Sequence, residues 1–467
     1  MPAILVVASW SLALIVNLAP LALGSNRALP WAYNAVICGA IALIAALYHL
    51  AQRSNDAQLR FSSILLPVVL FAIVLGWIGL QISPLGAQLF GGHPAWDYAI
   101  EPGGTGAGEN LVRLSVNVAE TSAALMRLLT YGSVFLAAFI LAQRAATAGF
   151  LIKAFLFAAG IYALYGLFRF AFNWDKILWF DVVSNGFLTS AFINRNSAAT
   201  YFGLASICGA AFLLRQIRRE HFGLEGHSFR YRVMAILDAV PARFGVAILA
   251  FVLPLTALLM TASRGGILAT LAGLAALLVG TAIRRSSATG GGSARFAGLI
   301  GIAILVVTIF QMSGARFASR LAVIGVQAQG RLNVYEATFQ AIKDNALLGS
   351  GFGTFQDIYP LYRNEEPYSR LVWDKAHNDY LELILGLGVP VALIFLLSLS
   401  LVFAVVLRGY FQRRKNAIYP GIAVAGTLVL AVHALADFSA QIQAVAMVYA
   451  MILGVGAAQS QSRSSSS

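Results

Sequence analysis

The chain has 467 residues, of which 59% are hydrophobic and 11% charged, with a formal charge of +13. A water-soluble domain carries about 25% charged residues, and here the deficit accompanies repeated apolar runs of about 20 residues, enough to cross a hydrocarbon core as helix. That pattern predicts an all-α, polytopic transmembrane bundle and excludes a membrane β-barrel, whose strands are about ten residues long and alternate apolar with polar. The basic excess follows from the gathering of Lys and Arg in cytoplasmic loops of membrane proteins, so no nucleic-acid partner is inferred.

Taken in order, apolar runs fall at 3–23, 33–51, 62–81, 122–142, 148–171, 192–214, 244–262, 266–283, 297–313, 382–407, 420–435 and 441–458, about 12 spans. The first lacks a positive n-region and reads as an uncleaved span. Basic residues cluster between spans, at Arg53 and Arg60, at Arg215 to Arg243, at Arg284, Arg285 and Arg295, and at Arg408 to Lys415. With all spans counted these clusters share one side, which the positive-inside rule makes cytoplasmic, together with both termini. The other side receives 82–121, 172–191, a short turn at 263–265 and the long stretch 314–380.

Four regions follow: a bundle at 1–313, an outer segment at 314–381, three closing spans at 382–458, and a Ser-rich tail at 459–467 read as disordered. Within the outer segment, Leu332, Tyr335, Ala337, Phe339 and Ile342 predict an amphipathic helix over 331–345. The glycines of GSGFGTF, Gly349 to Phe355, read as a tight turn after it. No Lys-Ser/Thr pair follows as a phosphate-cradling loop requires. Cys38 and Cys208 both sit in apolar runs and read as core residues.

Polar chemistry has room only on the outer side. Of six histidines, His93 and His377 lie there outside the spans, and His377, in WDKAHNDYLE, is next to one. An imidazole can take a proton from a hydroxyl near neutral pH; a polar cap for the following helix is the alternative. Arg264 in TASRGGILA and Arg195 in FINRNSAATYF stand at outer edges of spans, where guanidinium forks suit a diphosphate or snorkel to head groups. Arg331, opening the amphipathic helix, is a third candidate for phosphate. Arg127 and Arg169, a turn inside their spans, read as snorkelling or structurally paired, with a place in the anionic site the alternative. His433 and Asp437, four apart, read as sharing a helix face and a structural hydrogen bond, with support of the site the other possibility. The outer acids show no metal-ligand spacing, so a metal-free, cofactor-free mechanism is preferred.

The order of these motifs resembles the O-antigen ligase family, whose superfamily includes Wzy-type polysaccharide polymerases. The likeness runs from NRN through SRGG, R-x(3)-YEA and NALLGSGFGTF to AHNDYLELILGLG, within residues 190–440. It implies a C-type helical glycosyltransferase of the bacterial inner membrane, working at the periplasmic face. Such an enzyme moves a glycan from an undecaprenyl-diphosphate carrier to a sugar hydroxyl, on lipid A–core in a ligase or on another lipid-linked glycan in a polymerase. By the resemblance His377 is the catalytic residue, and Arg264 and Arg195 hold the diphosphate. Asn194, Asn196, Asn378 and Tyr380 are candidates for positioning sugars. Lys375-Ala376 ahead of His377 and the charged PLYRNEEPYSR segment depart from the better-known ligases and leave the acceptor open. A transporter expects ionisable groups at mid-membrane depth in matched halves; here they gather at one face.

Overall fold

The computed structural model describes residues 2–51, 62–96, 112–181, 186–220, 242–289, 321–363 and 373–461. Its helices, in chain order, are α1 (Ala3–Leu18), α2 (Ala28–Ala51), α3 (Ser62–Ile82), α4 (Pro84–Phe90), α5 (Val118–Leu141), α6 (Ala145–Ala171) and α7 (Arg195–Glu220). They continue with α8 (Ala242–Met260), α9 (Arg264–Thr289), α10 (Leu321–Asp344), α11 (Phe355–Tyr362), α12 (Asp379–Leu387), α13 (Val389–Gln412), α14 (Ile418–His433) and α15 (Gln443–Gln461). Among the described residues nine helices are long and apolar enough to span a bilayer, counting α1 with the short 3₁₀ turn that follows it; Phe244–Met260 and Ile418–His433 are shorter apolar helices. These account for eleven of the expected runs; the twelfth, 297–313, lies outside the described residues.

The bundle is built around α15, whose side chains are buried almost throughout. Around it α7 packs on α8, α9 on α14, α5 on α2 and α15, and α3 on α13. Small residues let the backbones approach: a Cβ on Gly454 would lie 2.5 Å from the Phe135 carbonyl oxygen. Lipid supplies no hydrophobic drive between helices, so such close van der Waals packing is what holds a bundle together.

Three boundaries differ from the sequence expectation. The run 382–407 is broken: α12 ends at Leu387, and Gly388 (φ +76) turns the chain before α13 starts with Pro390 in its first turn. Apolarity continues across the break, but a left-handed glycine followed by proline does not continue a helix. The amphipathic helix also begins earlier, at Leu321, so Arg331 is in its interior and not at its start. Finally, α15 runs to Gln461, three residues into the expected tail.

A small second core sits over one end of the bundle. Val334, Ala337 and Ala341 of α10 pack with Phe355, Ile358, Ala376 and Leu385. The glycine turn after α10 is as expected, with Gly349, Gly351 and Gly353 all at positive φ. Gly351 also permits an approach that no side chain would, since a Cβ there would lie 2.3 Å from Ser115 Oγ. This unit fixes the stretch 373–378 over the ends of the long helices.

Candidate active site

The site begins with where helices start and stop. Leu188 N–H donates to the carbonyl of Met260 at 3.3 Å, joining the approach to α7 to the end of α8. Asn194 accepts from Asn196 N–H at 2.7 Å and so caps α7, while Ser263 Oγ accepts from Gly266 N–H at 3.3 Å and caps α9. Such caps satisfy donors that the first helical turn leaves open. The two caps are tied together, because Ser263 Oγ donates to Asn196 Oδ1 at 2.8 Å. Arg195 and Arg264 are therefore the first residues of two helices whose N-termini meet. Gly266 allows the meeting: a Cβ there would lie 2.5 Å from the Ala199 Cβ.

The end of α14 and the start of α15 close the ring. The helix stops at His433, so Asp437 lies in the following loop and does not share its helix face. His433, buried, bonds through Nδ1 to Thr200 Oγ1 of α7. Asp437 turns instead to His377, with Oδ1 3.3 Å from Nδ1. It also accepts from Asn196 Nδ2 at 3.0 Å and from Ser439 Oγ at 2.6 Å. Burial pushes the Asp437 carboxyl up, but the bonds from His377, Ser439 and Asn196 and the nearby His433 outweigh it, and the group lies below the usual carboxylate range. The sequence carried little sign of this pairing, since the two residues lie 60 positions apart.

His377 is held through its backbone and its ring. Its backbone has φ +55, a left-handed conformation uncommon for a residue with a side chain. Its carbonyl accepts from Tyr335 Oη at 2.9 Å. Its ring lies edge-on between Trp373 and Phe438, with centroids 5.5 and 5.0 Å away. Next to it, Ala376 N–H donates to Glu382 at 2.7 Å. Gln441 bridges Asp379 and Glu382, donating to each at 2.9 Å. Burial, then the neighbouring Glu382 carboxylate, pushes the Asp379 carboxyl well up.

The other predicted residues divide. Arg331 reaches over the loop, with Nη1 3.4 Å from the Ala436 carbonyl and its charge felt at His433. Away from a helix N-terminus, the macrodipole no longer opposes it. Arg264 lies between Ser263, bonded to Asn196, and Gly265, where an added Cβ would stand 3.0 Å from the His433 ring. Arg195 lies over the Phe187 ring, 4.1 Å from its centroid. Asn196 bridges Asp437 and Ser263. Asn378 caps α12, accepting from Tyr380 N–H at 3.0 Å and Leu381 N–H at 3.2 Å. Tyr380 donates to the Ala431 carbonyl at 3.0 Å. Arg169 is structurally paired, to Lys176 O and Thr189 Oγ1, and Arg127 lies over Trp31. His93 is bonded to Asn345 at 2.6 Å, part of the second core's framework. Among the described residues no three His, Cys, Asp or Glu side chains come together as a metal site.

A cleft of about 210 Å³ opens beside His377, with Asn194, Ser197 and Asp374 in its wall. The arrangement brings together an imidazole bonded to a buried carboxylate, two helix N-termini and three arginines, all at one end of the bundle. Helix N-termini and guanidinium groups suit oxyanions. Arg284 and Arg413, by contrast, are bonded to one another at the opposite end, Nη2 to carbonyl at 2.6 Å.

Residues 249–396 match the family model described as O-antigen ligase. The matched segment includes Arg264, Arg331 and His377, while Arg195 and Asp437 lie outside it. A search of curated proteins finds no match to the chain.

Proposed function

We propose that this polytopic membrane protein, carrying an O-antigen ligase family domain at 249–396, is an inverting glycosyltransferase at the periplasmic face of a bacterial inner membrane. Its donor is a glycan on undecaprenyl diphosphate, and its acceptor a sugar hydroxyl, with lipid A–core the first choice. The observation that carries this reading is the His377–Asp437 contact at 3.3 Å, placed where the starts of α7 and α9 meet.

The chemistry follows from that contact. Asp437 accepts a hydrogen bond from Nδ1–H of His377, which keeps the proton on Nδ1 and leaves Nε2 with its lone pair free to act as base. Nε2 takes the acceptor hydroxyl proton as that oxygen attacks the anomeric carbon of the donor sugar. The bond from that carbon to the diphosphate oxygen breaks, and its electron pair leaves with the carrier. Arg264, Arg195 and Arg331 stabilise the charge that grows on the diphosphate. The step is balanced without nucleotide or metal.

Transfer in vitro tests this. The purified protein in nanodiscs is given lipid-linked glycan and either rough lipopolysaccharide or a second lipid-linked repeat. A glycosylated product with one acceptor is expected, and which acceptor reacts separates ligase from polymerase. Absence of product with both, from protein that binds undecaprenyl diphosphate, would refute the transferase reading.

A further inference from the structure

The cleft beside His377 has a chemistry of its own. Ser197 is 1% exposed, yet among the described residues its hydroxyl has no hydrogen-bond partner. A buried polar atom left so costs stability unless something else completes it. Asn194 spends its amide oxygen on the α7 cap, and among the described residues its NH₂ group has no partner. Asn26 and the exposed Asp374, which also line the cleft, have no side-chain partner among the described residues either. Amide, hydroxyl and carboxylate groups thus converge on one space with their bonding capacity open.

The rest of the wall is apolar and partly aromatic, including Phe192 and Phe438. Among the described lining residues there is no Lys or Arg, and Asp374 brings a negative charge. The lining itself offers a diphosphate no guanidinium or ammonium group. A sugar ring fits, because its C–H face can lie on an aromatic wall while its hydroxyls both give and accept hydrogen bonds. At about 210 Å³ the cleft is smaller than the 300–1,000 Å³ typical of drug-sized ligands, so it holds about one ring.

Helix geometry separates this cleft from the cationic side. On α7, Asn196 and Thr200 face Asp437 and His433. Ser197 lies one residue on, turned about 100° around the axis. His377 belongs to both sides, bonded to Asp437 and lining the cleft. In a direct displacement the entering hydroxyl opposes the leaving diphosphate, so the cleft, with no Lys or Arg among its described lining residues, and the arginines would serve opposite partners.

We infer that the cleft formed by Asn26, Asn194, Ser197 and Asp374 beside His377 binds the acceptor's terminal sugar ring, and that Ser197 and Asp374 are specificity-determining residues. This rests on the transferase reading above.

The test uses full-length protein in nanodiscs and whichever of rough lipopolysaccharide or lipid-linked repeat supports turnover by the wild type. Ser197→Ala should raise the acceptor KM roughly two- to tenfold, the worth of one hydrogen bond. It should leave undecaprenyl diphosphate binding unchanged and the unfolding midpoint no lower. Ser197→Leu, which fills the cleft, should raise that KM further, again without weakening carrier binding. Asp374→Asn should alter the ranking of acceptors that differ at one ring hydroxyl. An unchanged acceptor KM in both Ser197 variants, or weakened carrier binding with normal acceptor KM, would overturn the assignment while leaving the transferase reading standing. If the wild type neither binds carrier nor transfers glycan, the transferase reading itself fails and takes the assignment with it.

Discussion

At the scale of single residues, the centre of the account is a histidine in a backbone conformation that side chains seldom adopt. Left-handed geometry away from glycine costs of order 1–3 kcal/mol, and His377 is kept there by Tyr335 on its carbonyl and by Asp437 on its ring. Asp437→Asn keeps the shape but removes the charge that orients and supports the imidazole. Turnover should fall by about a hundredfold or more, with carrier binding intact; turnover within threefold of wild type would remove Asp437 from the mechanism. The same variant has a pH signature. The folded Asp437 carboxyl lies below its ordinary value of 3.8, so the unfolded chain takes up the proton first as the medium is acidified. Its contribution to stability is therefore full above that ordinary value and is lost as pH falls through the lower folded one. Asp437→Asn should flatten that part of the acid limb in a plot of unfolding midpoint against pH. His377, Arg264 and Arg195 were legible as candidates from charge and position beside apolar runs, and Arg331 from its place in the amphipathic helix, although that helix begins ten residues earlier than expected. The Asp437 partnership was not, because spacing within one helix pointed to His433, whereas the loop after α14 turns Asp437 toward a residue 60 positions away.

At the scale of elements, run length and apolarity predicted the long helices because each must satisfy its own backbone within lipid. They failed at Gly388, where the conformation changes without any change in polarity, and at the start of α10, where the apolar pattern was weaker than the helix it belongs to. The meeting of α7 with α9 depends on the smallest side chain at Gly266. Two effects oppose each other in Gly266→Ala. Alanine favours a helix interior by about 1 kcal/mol over glycine, but overpacking costs typically 1–3 kcal/mol. The 2.5 Å approach to the Ala199 Cβ decides for the second, since neither backbone is a flexible chain end. The variant should unfold at lower temperature and lose transfer activity by pulling Ser263, and Arg264 next to it, away from Asn196. A raised unfolding midpoint with full activity would contradict this account of the junction.

At the scale of the whole molecule, His377 and the described basic residues Arg284 and Arg413 occupy opposite ends of the bundle. The starts of α7, α9 and α15 and the ends of α8 and α14 surround His377, while Arg413 and Arg284 lie at the far end. On the proposed orientation, with the basic far end cytoplasmic, the cleft opens to the periplasm. Cys38 and Cys208 are buried, which gives a low labelling background. A membrane-impermeant maleimide should label Asp374→Cys in intact spheroplasts and Arg414→Cys only after permeabilisation; the reverse pattern would put the site on the wrong side. The central claim remains the proton transfer at His377. It is tested most directly by single-turnover glycan transfer with His377→Gln protein loaded with lipid-linked donor in nanodiscs. The account predicts a transfer rate reduced by about 10²–10⁴ with donor affinity and unfolding midpoint retained. A rate within tenfold of wild type would contradict it.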